Sequence, residues 1–394
     1  MQHYAGAMDS GTRPGEANTI YGEALMGRLN DLANLGQAVW LDFVDRKFLA
    51  EGGLQKLVDE DSLTGVTSNP SIFEKAMGHG DAYDAELAAF DQANPDASTM
   101  ERYEHLAILD IQAAADTLRP VYDRLGTKDG YVSLEVSPYL ANDTDGTIAE
   151  AQKLWAAVDR ANLMIKIPGT AAGVPAIAAT IDAGINVNVT LLFSQSAYQA
   201  VAEAYVEGLE KRVARGEPID HIASVASFFV SRIDSKIDDK IDAGVGGDAA
   251  KALKGKVAIA NAKLAYAWYE EFIASARWQA LAAKGAQVQR LLWASTGTKN
   301  PDYPDTLYLD TLIGKDTVNT VPPKTLDAFR ERGTPKLTLT EDIAGARHVL
   351  SEAERLGLDL DGVTDTLVEE GVASFSKAFD DLLGAIAAKH PAHA

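Results

Sequence analysis

LMIKIPGT, residues 163–170, decides how this chain is read. One lysine sits inside an apolar run, and a Pro-Gly breaker follows Ile167. Alternation sets Leu163, Ile165 and Ile167 on one face of a strand and Met164, Lys166 and Pro168 on the other. An ammonium held between apolar neighbours loses hydration, which favours its neutral form. A neutral amine is what attack on a carbonyl requires. The plainer alternative is a strand-end lysine reaching out to water.

Working outward, similar strand-like runs recur on both sides. Before it come AVWLDF (38–43), GVTSNP (65–70) and YVSLEVSP (131–138). After it come INVNVTLLF (185–193), ASVASFFVSRID (223–234), VQRLLWAST (288–296) and TVNTVP (317–322). Between them lie segments with the 3.6-residue period of helices, clearest over Tyr103–Leu118. The helical blocks 74–125 and 249–284 exceed what a simple crossover needs, and an amphipathic segment, 364–388, ends the chain. Regular βα alternation implies a parallel sheet. Eight units over about 300 residues predict an α/β fold, a (β/α)8 TIM barrel with helical insertions and a C-terminal helix. The alternative is an open doubly wound sheet, whose Gly-rich first βα turn does not follow AVWLDF. No Pro-, Gly- or Ser-rich linker divides the chain. The expected organisation is a flexible extension over residues 1–18 and a single catalytic domain over 19–394.

Composition narrows the chemistry. The formal net charge of −21 disfavours nucleic acid and anionic membrane as partners, and it obliges any anionic substrate to find local positive charge. With no cysteine there is no disulfide framework and no thiolate chemistry. No apolar run approaches the roughly 20 residues of a membrane span, and the polar first 18 residues lack a signal-peptide pattern. A cytoplasmic location is expected. With only seven histidines in the chain, no His-based metal site is expected, although an all-carboxylate one stays open. Dinucleotide and P-loop signatures are absent.

Strands buried on both faces should be apolar throughout, yet here polar residues gather toward their C-terminal halves, the rim where active sites of this fold form. They are Asp42, Asn69, Glu135, Lys166, Asn188, Thr190, Ser227 and Arg232, with Lys299 in the loop after the seventh strand. Each has a structural alternative. Asp42 and Asn69 could cap helices, Thr190 suits any strand, and Arg232 could pair with Asp234 or Asp238. Glu135, flanked by Leu134 and Val136, needs a buried partner, and Lys166 on the next strand could be a purely structural one. Together, a desolvated lysine, two carboxylates and several hydroxyl and amide groups suggest Schiff-base chemistry without a cofactor. The lysine forms an iminium with a ketone, and the iminium accepts the electrons of the neighbouring carbon–carbon bond. Glu135 is expected to work through a water held with Thr190, and Asp42 to be the second acid/base.

These stretches resemble the transaldolase family. The resemblance runs in order through WLDF, GVTSNPSIF, VSLEVSP, IKIPGT, INVNVTLLFS and SFFVSRID, and TLVEEGVASFSKAFDDLL resembles that family's last helix. It implies a (β/α)8 barrel with the imine lysine on the fourth strand, where the strand count also puts Lys166. It further implies transfer of a dihydroxyacetone unit from a ketose phosphate (fructose 6-phosphate, sedoheptulose 7-phosphate) to an aldose phosphate (erythrose 4-phosphate, glyceraldehyde 3-phosphate) in the non-oxidative pentose phosphate pathway. No cofactor or metal is implied. Carried over by residue, Lys166 forms the imine, Asp42 serves carbon–carbon cleavage, and Glu135 and Thr190 hold the catalytic water. Asn69 and Asn188 hold the three-carbon unit. Ser227 and Arg232 bind phosphate, with Phe229 beside them. Lys299 stands where some members have an arginine. Partners are expected to be small sugar phosphates, with the protein a monomer or homodimer. The rivals are a fructose-6-phosphate aldolase, whose members are shorter and usually have glutamine at the place of Glu135, and a catalytically dead barrel that only binds sugar phosphates.

Overall fold

The computed structural model describes residues 27–389. The extension expected over 1–18 lies outside the described residues, as do both ends of the domain expected over 19–394. Eight strands form one closed sheet: β1 Gln37–Leu41, β2 Gly65–Thr67, β3 Tyr131–Glu135, β4 Leu163–Pro168, β5 Val187–Leu192, β6 Ser224–Phe229, β7 Arg290–Ala294 and β8 Thr317–Val321. Every neighbouring pair is parallel, and β1 closes the ring against β8. This is the expected (β/α)8 barrel, and it excludes the open doubly wound sheet.

The strands are buried almost throughout because helices cover the outer face and side chains fill the interior. Trp40 shows how the interior is packed. It is in register with Gly65, and its indole occupies the space that a side chain at 65 would need. Its Nε1 donates to Asp129 at 2.9 Å. The helix starts follow local chemistry. Asn69 Oδ1 accepts from Ile72 N at 3.0 Å and Pro70 opens the helix Pro70–Met77. Ser98 and Glu101 form a reciprocal capping box before the helix Thr99–Arg124.

The strands stop earlier than their sequence runs suggest, and the differences fall at the functional rim. Glu135 ends β3 instead of lying in its middle, and Asp42 lies just past β1. Arg232 is not on β6. Val230 leaves the extended conformation (φ −110°, ψ −69°), and Arg232 belongs to the helix Ser231–Asp242. Strand propensity continues through SFFV, but the backbone turns once Val230 N has found Ala294 O on the neighbouring strand (3.0 Å). β5 carries a bulge. Its register against β6 shifts between Val189 and Leu192, and Leu191 adopts a left-handed conformation, φ 59°. The last helix runs Leu360–Lys389 and packs on the helices Pro70–Met77, Thr99–Arg124 and Ser231–Asp242 and on β5.

Candidate active site

Register brings the polar residues together. Glu135 on β3 is level with Lys166 on β4, which is level with Asn188 on β5. Lys166 is 4% exposed. Its ammonium donates to Ser68 O at 3.1 Å and lies 3.1 Å from Glu135 Oε2. The sequence predicts a water between Lys166 and Glu135; in the structure they touch. The contact is not aligned as a hydrogen bond, so both carboxylate oxygens of Glu135, like Thr190 Oγ1, are buried without a hydrogen-bond partner among the described residues. Burial pushes the Glu135 carboxyl above the ordinary range, the Lys166 charge pulls it down, and Asp42 adds a smaller upward push.

Asp42 does not cap the next helix. Asp45 does, accepting from Phe48 N at 2.9 Å. Asp42 Oδ1 instead accepts from Thr67 Oγ1 at 2.8 Å, and Thr67 Oγ1 lies 2.6 Å from Thr320 Oγ1. Burial raises the Asp42 carboxyl. Lys166, the Thr67 hydrogen bond, Arg232 and Lys299 act in the opposite direction. Two carboxyls thus feel the charge of one lysine, each raised by burial.

A cleft of about 410 Å³ opens above them, bordered by Asp42, Asn69, Lys166, Thr190, Ser227, Phe229, Arg232 and Lys299. Asn188 is not on its wall. It is fully buried, with Nδ2 donating to Ser133 Oγ (2.9 Å) and Oδ1 accepting from Ser227 Oγ (2.7 Å). Glu135 borders a narrower adjoining pocket with Asn69, Tyr103 and Phe379. Asn69 is both cap and wall, because capping uses only its Oδ1.

Arg232 does not pair with its neighbouring acids. Asp234 accepts from Ala258 N and Tyr308 OH, and Asp238 from Tyr303 OH and Gly255 N. The guanidinium lies 5.1 Å from the Phe229 ring centre and has no ion pair among the described residues. Burial lowers its pKa, and the charges of Asp42 and Glu370 oppose that. The cleft therefore holds an arginine without a counter-ion, with Lys299 at the rim.

Sequence patterning misses several contributors. Ser71 and Lys75 line the cleft from the helix Pro70–Met77. Their i, i+4 spacing would have revealed them once Pro70 was taken as the first helical residue. Thr67 and Thr320 look like ordinary strand threonines, and the role of the Ser68 carbonyl has no sequence signal. Phe375 comes from the last helix, about 200 residues along the chain from Lys166. Its ring centre lies 5.7 Å from Lys166 Nζ, so that helix reaches the site.

Residues 39–386 match the family described as Transaldolase/Fructose-6-phosphate aldolase. The chain is 48% identical over 366 residues to a transaldolase of Thermobifida fusca, covering 93% of this chain and 99% of that one. It is 50% identical over 360 residues to transaldolase 1 of Streptomyces avermitilis, covering 91% and 94%. It is 48% identical over 361 residues to a transaldolase of Thiobacillus denitrificans, covering 92% and 100%.

Proposed function

The chain belongs to the transaldolase/fructose-6-phosphate aldolase family, and from that premise we propose how its residues divide the work. Its activity is that of a transaldolase, a transferase acting on sugar phosphates through a lysine Schiff base in the pentose phosphate pathway. Lys166 is the imine lysine. The carboxylate beside its ammonium, raised by burial, is a base suited to take the proton and leave a neutral amine. That amine adds to the ketose carbonyl. The carbinolamine then loses water, for which Glu135 and Thr190 supply three polar oxygens that no described residue occupies.

The iminium is an electron sink. Asp42 takes the proton of the hydroxyl on the far side of the bond to be cleaved, the carbon–carbon bond breaks, and the aldose phosphate leaves. An enamine of dihydroxyacetone stays on Lys166. The acceptor aldehyde reverses these steps, with Asp42 returning its proton. Asn69 Nδ2 binds a substrate hydroxyl. Asn188 acts through Ser133 and Ser227, which it orients. Arg232, Ser227 and Lys299 hold the phosphate beside Phe229, and Lys75 adds charge at the rim. The described residues 27–389 form one catalytic domain, working as a monomer or homodimer in the cytoplasm, where charged sugar phosphates are retained.

The observation that carries this reading is the buried Lys166 ammonium against a Glu135 carboxylate without a hydrogen-bond donor. Borohydride reduction in the presence of fructose 6-phosphate is expected to leave a stable adduct on Lys166, seen by intact mass, and Lys166→Ala to abolish it. No adduct would leave only a barrel that binds sugar phosphates, and the same adduct in the variant would refute Lys166 as the imine lysine.

A further inference from the structure

The helix Leu360–Lys389 places Gly371, Phe375 and Phe379 at i, i+4 and i+8, one stripe along one face. The stripe follows the site. A Cβ at Gly371 would come within 2.8 Å of Leu191 Cδ2 and 3.7 Å of Arg232 Nη1, so the missing side chain lets the helix settle onto the β5 bulge beside the guanidinium. Phe375, 4% exposed, borders the cleft over Lys166. Phe379 lines the pocket next to Glu135, its ring centre 5.0 Å from that of Tyr103 and 5.5 Å from that of Tyr139. The helix is tied down along its length. Lys236 pairs with Glu370 at 2.6 Å, Tyr139 OH donates to Asp380, and Lys389 reaches Asp84 at 2.9 Å.

Such a roof matters most after the first aldose has left. The enamine on Lys166 then has two fates. Its carbon can attack the acceptor aldehyde, which is transfer. Alternatively, that carbon takes the proton held by Asp42, water adds to the iminium carbon, the bond to Nζ breaks, and free dihydroxyacetone leaves with the lysine amine regenerated. Hydrolysis of an iminium ends both routes, so they divide at protonation of the enamine carbon, and keeping out the water that would relay a proton to a reactive intermediate is a task of a closed site.

We propose that Phe375 is a specificity-determining residue that suppresses acceptor-independent release of dihydroxyacetone, with Gly371 as the seat that lets its helix close over the site. This rests on Lys166 being the imine lysine. Phe375 acts by covering the intermediate, and it moves no proton itself.

The test compares the full chain with Phe375→Leu, Phe375→Val and Phe375→Ala. For each, dihydroxyacetone release without acceptor is measured against transfer to erythrose 4-phosphate, and the borohydride adduct on Lys166 is recorded. The ratio of release to transfer is independent of how much protein is active, because both come from the same molecules. It is expected to rise as bulk is removed, reaching about tenfold in Phe375→Ala, roughly 1.4 kcal/mol between the two barriers, with Phe375→Leu close to the parent. An unchanged ratio across the series, with the adduct still forming, overturns the roof. Absence of the adduct in the parent chain overturns the imine reading instead.

Discussion

Thr67 controls a carboxyl that it never replaces. Its hydroxyl donates to Asp42 and opposes the rise that burial imposes. To accept the substrate proton, Asp42 must be ionised. Since burial raises its pKa, activity is expected to fall as pH drops through a value above the ordinary carboxylate range. Thr67→Val removes a stabilising hydrogen bond to the charged form, so the acid limb of kcat/KM is expected to move to higher pH. A limb that stays in place would mean that Asp42 is not the titrating group. Glu135 differs in kind. It is also raised by burial, but it touches the ammonium and receives no aligned hydrogen bond, which suits a group that passes a proton over a short distance and then holds water.

At the scale of elements, the helix Ser231–Asp242 does two jobs at its start. It aims Arg232 into the cleft, and it buries Asp234, which accepts from Ala258 N at 2.8 Å and from Tyr308 OH at 2.9 Å. Burial raises Asp234 to about 7. For an acid whose folded pKa lies above its unfolded one, the folded state binds the proton more tightly. The stability gained is complete below the unfolded value near 3.8 and is lost as pH rises through about 7. Asp234→Asn, which keeps the shape and cannot ionise, is expected to narrow the gap in Tm between pH 5 and pH 8. An equal gap in parent and variant would show that Asp234 does not titrate there. The bulge in β5 is a second local device. Leu191 at φ 59° breaks the two-residue alternation next to Thr190 and meets the last helix at Gly371.

On the scale of the whole molecule, a net charge of −21 surrounds a cleft edged by Lys75, Arg232 and Lys299. The global field repels a sugar phosphate, and the local cations must overcome it at short range. KM for a phosphorylated donor is therefore expected to depend on ionic strength, whereas that for unphosphorylated dihydroxyacetone as donor stays flat. Arg232→Ala should raise the first by about tenfold or more and spare the second, since a charge-assisted contact to an anion is worth roughly 1.5–3 kcal/mol. Equal losses for both donors would make Arg232 structural. Barrel closure, strand order and the placing of Lys166 on β4 were legible in the sequence, because strand and helix periodicities are local properties of the chain. The polar residues at the strand ends were legible for the same reason, as exceptions to a buried apolar pattern. The direct contact of Lys166 with Glu135, the choice of Asp45 over Asp42 as cap, the helical place of Arg232 and the roof by Phe375 were decided only in three dimensions. Each depends on distances of a few ångströms between segments far apart in the chain, set by how the closed barrel and its last helix pack, and no local period encodes those distances.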